Sequence, residues 1–294
     1  MPIAQVPSTI IIDPRQYLHL IYGEPGIGKT TWAKQIPGHY FLQTEIGTKS
    51  LAVFASPVFT WEEFILECTE IVEQKQAQWT DKAGKAVREI QTLVIDTLDN
   101  LFAYAADFIC RTSTFPEKGI QHRFSRIEDV PFGKGYKRAR QLIVATLDKL
   151  ALYGFGIVML AHDKDRLITW RGQELTKASL DLPPSVVTSL IAACDVVGYF
   201  ALEQQVRKDE TGRIIIAEEV RQAFWQRNFL RETKHRLDDF PDVTILNKDT
   251  MFADYLSVFR ETALKIDSVE VSGESVLPNT PTQQHDNVEQ YHET

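Results

Sequence analysis

Gly23-Glu24-Pro25-Gly26-Ile27-Gly28-Lys29-Thr30 reads as a complete G-x-x-x-x-G-K-[ST] phosphate-binding loop. Before it, residues 17–22 form a short apolar run of strand type. After it, residues 29–36 read as a helix ended by Pro37 and Gly38. Strand, loop and helix in this order make the glycine-rich string a specific signal. The glycines let successive backbone N–H groups face the β- and γ-phosphates, and the positive end of the helix dipole adds to the field there. Lys29 would neutralise those phosphates, Thr30 would offer its hydroxyl to Mg²⁺, and Thr31 completes the set of nucleotide contacts. The stretch implies that the chain binds ATP or GTP.

Working outward, residues 39–43 form the next strand, with Thr44-Glu45 at its carboxyl end, where parallel α/β sheets place ligands. Residues 92–95 form an apolar strand tipped by Asp96, the pattern of a Walker B carboxylate that holds Mg²⁺ or its water. A strand-terminal acid is also a common helix cap, and Asp96 or Thr97 could serve the helix that runs through Cys110. Residues 155–161 form a buried strand ending at His162, at the same sheet edge as Asp96 and Glu45. A histidine there reads either as structural or as a phosphate sensor.

The remaining elements frame this centre. Residues 8–12 suggest a short first strand. Trp61, Phe64, Ile65, Cys68, Ile71 and Val72 recur at helical spacing, so residues 60–76 form an amphipathic helix capped by Thr60, and that stripe is core. Asp81-Lys82-Ala83-Gly84 marks a turn in a polar stretch. Residues 136–152 read as a helix. Residues 163–177 read as a hairpin around Gly172 with Lys164, Arg166, Arg171 and Lys177 exposed, and Pro183-Pro184 precede a helix through Ala193. Residues 195–202 and 213–217 flank an Asp209-Glu210-Thr211-Gly212 turn. A strand over 221–231 and a last helix over 250–265 complete the pattern.

At 294 residues and 44% hydrophobic content the chain can bury one large α/β core, taken as residues 1–266, followed by an acidic tail, 267–294. That tail is polar and poor in apolar residues, which predicts disorder. The net charge of −8 is carried mostly by this end, where seven acids from Glu261 onward face Lys265 alone. Residues 110–140 hold the opposite excess: eight bases, among them Arg123, Arg126, Lys134 and Lys137, against Glu117, Glu128 and Asp129. Phe115, Phe124 and Phe132 lie among them. Cations interleaved with aromatics suit single-stranded nucleic acid; a solvated basic loop anchored by its phenylalanines has the same composition. Cys68, Cys110 and Cys194 lack metal-ligand spacing and suit buried thiols in a reducing compartment. No signal peptide and no membrane-length apolar run is legible, which predicts a soluble chain with no membrane partner.

Taken together, the phosphate loop, Tyr40-Phe41-Leu42-Gln43-Thr44-Glu45, Leu93-Val94-Ile95-Asp96-Thr97, Phe132-Gly133-Lys134-Gly135-Tyr136, Val158-Met159-Leu160-Ala161-His162 and Thr233-Lys234-His235-Arg236 resemble RecA-like ATPases. The resemblance is closest to the phage-encoded members that act as single-strand annealing or recombination factors. It implies an α/β, RecA-like P-loop NTPase core with a mainly parallel central sheet flanked by helices and with β-hairpin additions. AAA-type motors place the catalytic Glu directly after the Walker B Asp, whereas Thr97 follows Asp96. By resemblance Glu45 polarises the attacking water, His162 reports the γ-phosphate, and Lys234 and Arg236 reach into a neighbour's site. Without the resemblance the last pair is a surface charge cluster. The resemblance further implies ATP and Mg²⁺ as cofactors, a homo-oligomer (ring or filament) on single-stranded DNA, and a single-strand-binding or other replication protein as partner. The setting it implies is the cytoplasm of a phage-infected host. Its DNA-binding positions match the 111–135 loop and residues 163–177, hence Arg123, Arg126, Lys134, Lys137, Lys164, Arg166 and Arg171. Gln43 replaces an acid common in the family, and the long N-terminal module of cellular recombinases is missing, which points to annealing or mediation rather than full strand exchange. A nucleotide-controlled loader acting on a protein partner is the alternative.

Overall fold

The computed structural model describes residues 11–45, 51–81, 83–117, 119–208 and 211–272. β1 (Leu18–Gly23) leads through the phosphate loop into α1 (Lys29–Lys34), β2 (His39–Gln43) and the short β3 (Ala55–Pro57). α2 (Trp61–Gln76) starts where the sequence puts its cap: the Thr60 hydroxyl accepts from the Glu63 N–H, and the Glu63 carboxylate reaches back to the Phe59 N–H. β4 (Thr92–Asp96) and α3 (Leu98–Thr112) follow, then a small hairpin, β5 (Phe115–Glu117) and β6 (Ile120–His122), and α4 (Lys134–Leu152). β7 (Gly156–Trp170) and β8 (Gln173–Leu180) form a long hairpin before α5 (Pro184–Ala193). A second hairpin, β9 (Val196–Lys208) and β10 (Ile214–Phe224), precedes β11 (Lys234–His235), β12 (Val243–Ile245) and α6 (Met251–Ser272).

The main path of the sheet runs β12-β10-β9-β1-β7-β4-β2-β3, with β8 and β11 paired off it. From β3 to β9 every neighbour is parallel; β10, β12, β8 and β11 pair antiparallel. The fold is therefore a P-loop α/β core of RecA-like type with hairpin additions. β7 lies between β1 and β4, so the phosphate-loop strand and the strand carrying Asp96 flank the strand carrying His162.

Strand residues alternate between two cores, as the twofold period of a strand requires. Leu20, Tyr22, Leu93, Ile95, Ile157 and Met159 face α2 to α5, against Phe64, Leu101, Ile143 and Val187. Ile21, Val94, Val158 and Leu160 face the other side, against Trp32 of α1 and Tyr255 and Phe259 of α6. Each large side chain buried this way contributes roughly 1.5–3 kcal/mol.

Several expectations need correction. The strand through residues 155–161 does not stop at His162: β7 continues to Trp170, because beyond the sheet it keeps β8 as a partner. Residues 221–231 are not a separate strand, since β10 already extends to Phe224 and the chain then turns away. The 111–135 stretch is not structureless. It holds β5, β6 and two 3-10 turns, with Phe115 buried, Phe124 packed on it at 6.3 Å and the Arg138 guanidinium 4.6 Å above its ring. Phe132 alone of the three stands out in solvent, 93% exposed. In the β7–β8 hairpin, Arg166 and Lys177 are half-buried rather than exposed. α6 passes residue 266 and reaches Ser272; the remainder of the tail lies outside the described residues. So do Lys82, Lys118, Asp209, Glu210 and most of the expected strand at 8–12, of which Ile11 and Ile12 are not extended partners of the sheet. The three cysteines are buried free thiols, and burial pushes Cys68 up to about 12, which leaves it unreactive. Among the described residues no helix is long and apolar enough to cross a membrane.

Candidate nucleotide-binding site

The phosphate loop joins the carboxyl end of β1 to α1, over the sheet edge that also carries the ends of β2, β4 and the sheet portion of β7. Gly23 allows a close approach there: a Cβ would lie 2.3 Å from the carbonyl oxygen of Phe200. Gly28, at φ +108, makes the left-handed entry into α1. Lys29 is folded back into the loop and 6% exposed, its Nζ donating to the carbonyls of Gly23 and Glu24 at 2.6 and 3.0 Å. Burial lowers its pKa, and the charges of Asp163, Asp96, Asp99 and Glu45 work in the opposite direction.

Thr30 and Asp96 meet as the motifs imply: the Thr30 hydroxyl donates to Asp96 Oδ2 at 3.0 Å. The helix-cap alternative for Asp96 falls away, because α3 is entered through Thr97, whose hydroxyl donates to Asp99 Oδ2 at 3.0 Å. Asp96 is 7% exposed; burial, reinforced by the Glu45 charge, pushes its pKa from 3.8 to about 6 against the opposing Thr30 hydrogen bond. A carboxylate held this unfavourably beside a hydroxyl, in a pocket with three further acids, fits a divalent cation. Thr30 and Asp96 would hold Mg²⁺, with phosphate oxygens and water as its remaining ligands; the ion would screen a triphosphate from the surrounding acids.

That arrangement fixes a pH dependence. Because the folded pKa of Asp96 lies above its ordinary 3.8, the folded chain without metal holds the extra proton between pH 3.8 and about 6, and its stability falls as pH rises through that window. Binding of Mg²⁺ needs the deprotonated carboxylate. Affinity for Mg²⁺–nucleotide is therefore expected to be full above pH 6 and to fall by up to about tenfold per unit below it, as read by nucleotide titrations between pH 5 and 8.

Glu45 is set in place by the turn before it. Thr44 N–H donates to the Asp96 carbonyl at 2.8 Å, its hydroxyl receives the Thr97 N–H at 2.7 Å, and Tyr104 Oη donates to its carbonyl at 2.9 Å. Asn100 Nδ2 donates to Glu45 Oε2 at 3.4 Å. β2 pairs with β4, which brings the carboxylate close enough for its charge to act on Asp96.

His162 is held by Asp99, a residue outside the sequence motifs. Asp99 accepts the His162 backbone N–H at 3.1 Å and pairs with Nδ1 at 2.9 Å. A carboxylate can only accept, so Nδ1 carries the proton and Nε2 is left for the site. The Asp99 partner raises the His162 pKa, and despite burial the bonds from His162 lower that of Asp99. Arg221 is a second addition: from β10 its Nε donates to the Ile27 carbonyl at 2.5 Å, and a Cβ on Gly28 would lie 3.2 Å from it. Asp99 carried a faint signal, three residues past the Walker B acid. Arg221 carried none, being 194 residues from its partner.

Other sequence candidates are distributed differently. Lys234 closes the carboxyl end of α5, with Nζ donating to the carbonyls of Ile191, Ala192 and Cys194 at 3.1, 3.1 and 2.6 Å. Arg236 pairs with Asp195 at 3.1 Å. A role in a neighbour's site would require both to leave these partners. Arg123, Arg126, Lys134, Lys137, Lys164 and Arg171 are exposed, with Arg126 3.5 Å from Glu128 and Lys164 2.9 Å from Asp181. Arg166 donates to the carbonyls of Leu180 and Leu182, which spends its guanidinium on the hairpin's base.

A phosphate loop, a Walker B acid beside the loop threonine, and a carboxylate on the adjacent strand define a nucleotide-binding ATPase domain. A protein-family model described as AAA domain matches residues 15–226, and the chain belongs to that family. The chain is also similar to the SPbeta prophage-derived uncharacterized protein YorG of Bacillus subtilis (strain 168), 27% identical over 144 residues, which is 48% of this chain and 39% of that protein. Among solved structures, flagellar accessory protein FlaH of Methanocaldococcus jannaschii aligns over 80% of this chain and 86% of its own, with 11% identity and a TM-score of 0.40.

Proposed function

We propose that the chain is an Mg²⁺-dependent ATPase that oligomerises on single-stranded DNA and promotes annealing or recombination in phage DNA metabolism. The observation that carries this reading is the continuity of β7. One strand runs from His162, beside the phosphate loop, into a hairpin that ends in the exposed cation Arg171. A change around His162 on nucleotide binding would be passed along a paired strand to a surface that single strands could occupy. The exposed bases after α3 support the same reading, and the prophage origin of YorG supports the setting.

Steady-state ATP hydrolysis with and without single-stranded DNA tests it. Stimulation by single strands, weakening as salt rises, is the expected result, because phosphates neutralised by protein release counterions. Hydrolysis indifferent to DNA, together with no binding of single strands in the presence of Mg²⁺–ATP, would replace this reading with that of a nucleotide-controlled loader.

A further inference from the structure

Beyond His162 the β7–β8 hairpin leaves the main sheet, and the segment after β10 returns alongside it: the Ala178 N–H donates to the Leu230 carbonyl at 2.9 Å. Between hairpin, returning segment and α5 lies an open groove of about 1020 Å³. Its walls carry Lys177, Arg227, Arg231 and Lys234 against a single acid, Glu232. Three of these cations are braced: Lys177 against Glu232 at 2.8 Å, Lys234 on the carbonyls of α5, and Arg231 over the Phe224 ring at 3.8 Å and 3.5 Å from Glu203. On a chain of net charge −8 this is a local reversal of sign.

At the same place two aromatic rings stand half in solvent. Trp170, ending β7, is 46% exposed, and Phe229 on the groove wall is 44% exposed. Their centroids are 4.6 Å apart, and the Arg171 guanidinium lies 5.2 Å from the Trp170 ring. Neither ring reaches the core, so their contact surface is open to a partner. The groove's wall is also tied to the nucleotide site. The Glu232 N–H donates at 2.7 Å to Tyr22 Oη, and Tyr22 immediately precedes the phosphate loop.

We propose that this groove is the seat of single-stranded DNA, with bases stacking on Trp170 and Phe229 and phosphates held by Arg171 and Arg227 in the field of the braced cations. The proposal rests on the single-strand reading above and places the main contact here rather than in the 111–135 loop. Charge alone would suit an acidic peptide; exposed rings beside fixed cations suit a polyanion whose repeating unit has a flat face. Base pairing hides those faces, which selects against duplex.

The test uses the full chain with Mg²⁺–ATP and a fluorescein-labelled oligothymidylate, read by anisotropy across a salt series. Trp170→Ala/Phe229→Ala is expected to weaken binding at least tenfold, Trp170→Phe/Phe229→Tyr to restore it, and Arg227→Ala to lower the salt slope by about 1. Phe132→Ala is expected to stay within about twofold, and Arg123→Ala/Arg126→Ala to weaken binding less than the groove variants do; a larger loss there moves the main contact to the 111–135 loop. Thermal midpoints of all variants identify any that fail to fold, and the conservative pair then carries the comparison. Binding by the wild type that the groove variants leave unchanged overturns the groove while the DNA reading stands. Equal binding of duplex or of polyglutamate overturns the stacking platform. No binding of the oligonucleotide by the wild type overturns groove and reading together.

Discussion

Lys29→Ala is expected to lower Mg²⁺–ATP affinity by at least about 100-fold and to leave no measurable hydrolysis. The ammonium lies folded into the phosphate loop, and the charges that act on it, those of Asp163, Asp96, Asp99 and Glu45, are all negative. In this state it is parked on the loop's own carbonyls, so it must exchange two neutral acceptors for charged phosphate oxygens when nucleotide enters. Hydrogen bonds to charged groups contribute roughly 1.5–3 kcal/mol each, and two of them amount to a hundredfold or more in affinity. Burial works in the same direction, since a partly desolvated ammonium gains more from an anion than an exposed one does. Calorimetric titration with Mg²⁺–ATP measures the loss, and a thermal midpoint taken alongside separates a damaged site from a damaged fold. Wild-type affinity in the alanine variant would mean that nucleotide binds elsewhere.

How much of this site could be read in the sequence depends on the separation of its contacts. The phosphate loop, Asp96 and Glu45 were legible because each marks the end of an apolar strand, and parallel strands bring their carboxyl ends to one edge. The Asp99–His162 pair was only half legible. His162 was visible as the apparent end of a strand, but its partner belongs to another element, and the pairing is decided by β7 lying beside β4. Arg221 had no local signature, because nothing around it indicates that β10 brings it to the phosphate loop. The same limit explains Arg166, Lys177 and Lys234. Hairpin alternation predicts solvated Arg166 and Lys177, whereas the Leu180 and Leu182 carbonyls and Glu232 on the returning segment occupy them. In the Lys234-His235-Arg236 cluster, Lys234 is taken up by the carboxyl end of α5 and Arg236 by Asp195, partners about 40 residues away that no local pattern marks.

Glu45→Gln is expected to separate binding from chemistry. The amide keeps the size of the carboxylate and can still accept from Asn100, and Thr44 still clamps the backbone to the Asp96–Thr97 turn, so Mg²⁺–ATP affinity at pH 7.5 should hold within a few-fold. What is lost is basicity toward an attacking water, which for general-base catalysis accounts for about 10²- to 10⁴-fold in rate. Single-turnover hydrolysis reads that loss directly. A second consequence distinguishes this role from a general disturbance. The Glu45 charge helps to raise the Asp96 pKa, so removing it should move the acid limb of Mg²⁺–nucleotide binding below the wild type's position near pH 6. A slow variant with that shifted limb would place Glu45 beside both the metal and the water. A variant that hydrolyses at the wild-type rate would remove Glu45 from the reaction. Asp163 would then be the acid to test, since Asp96 is bound by Thr30 and Asp99 is committed to His162.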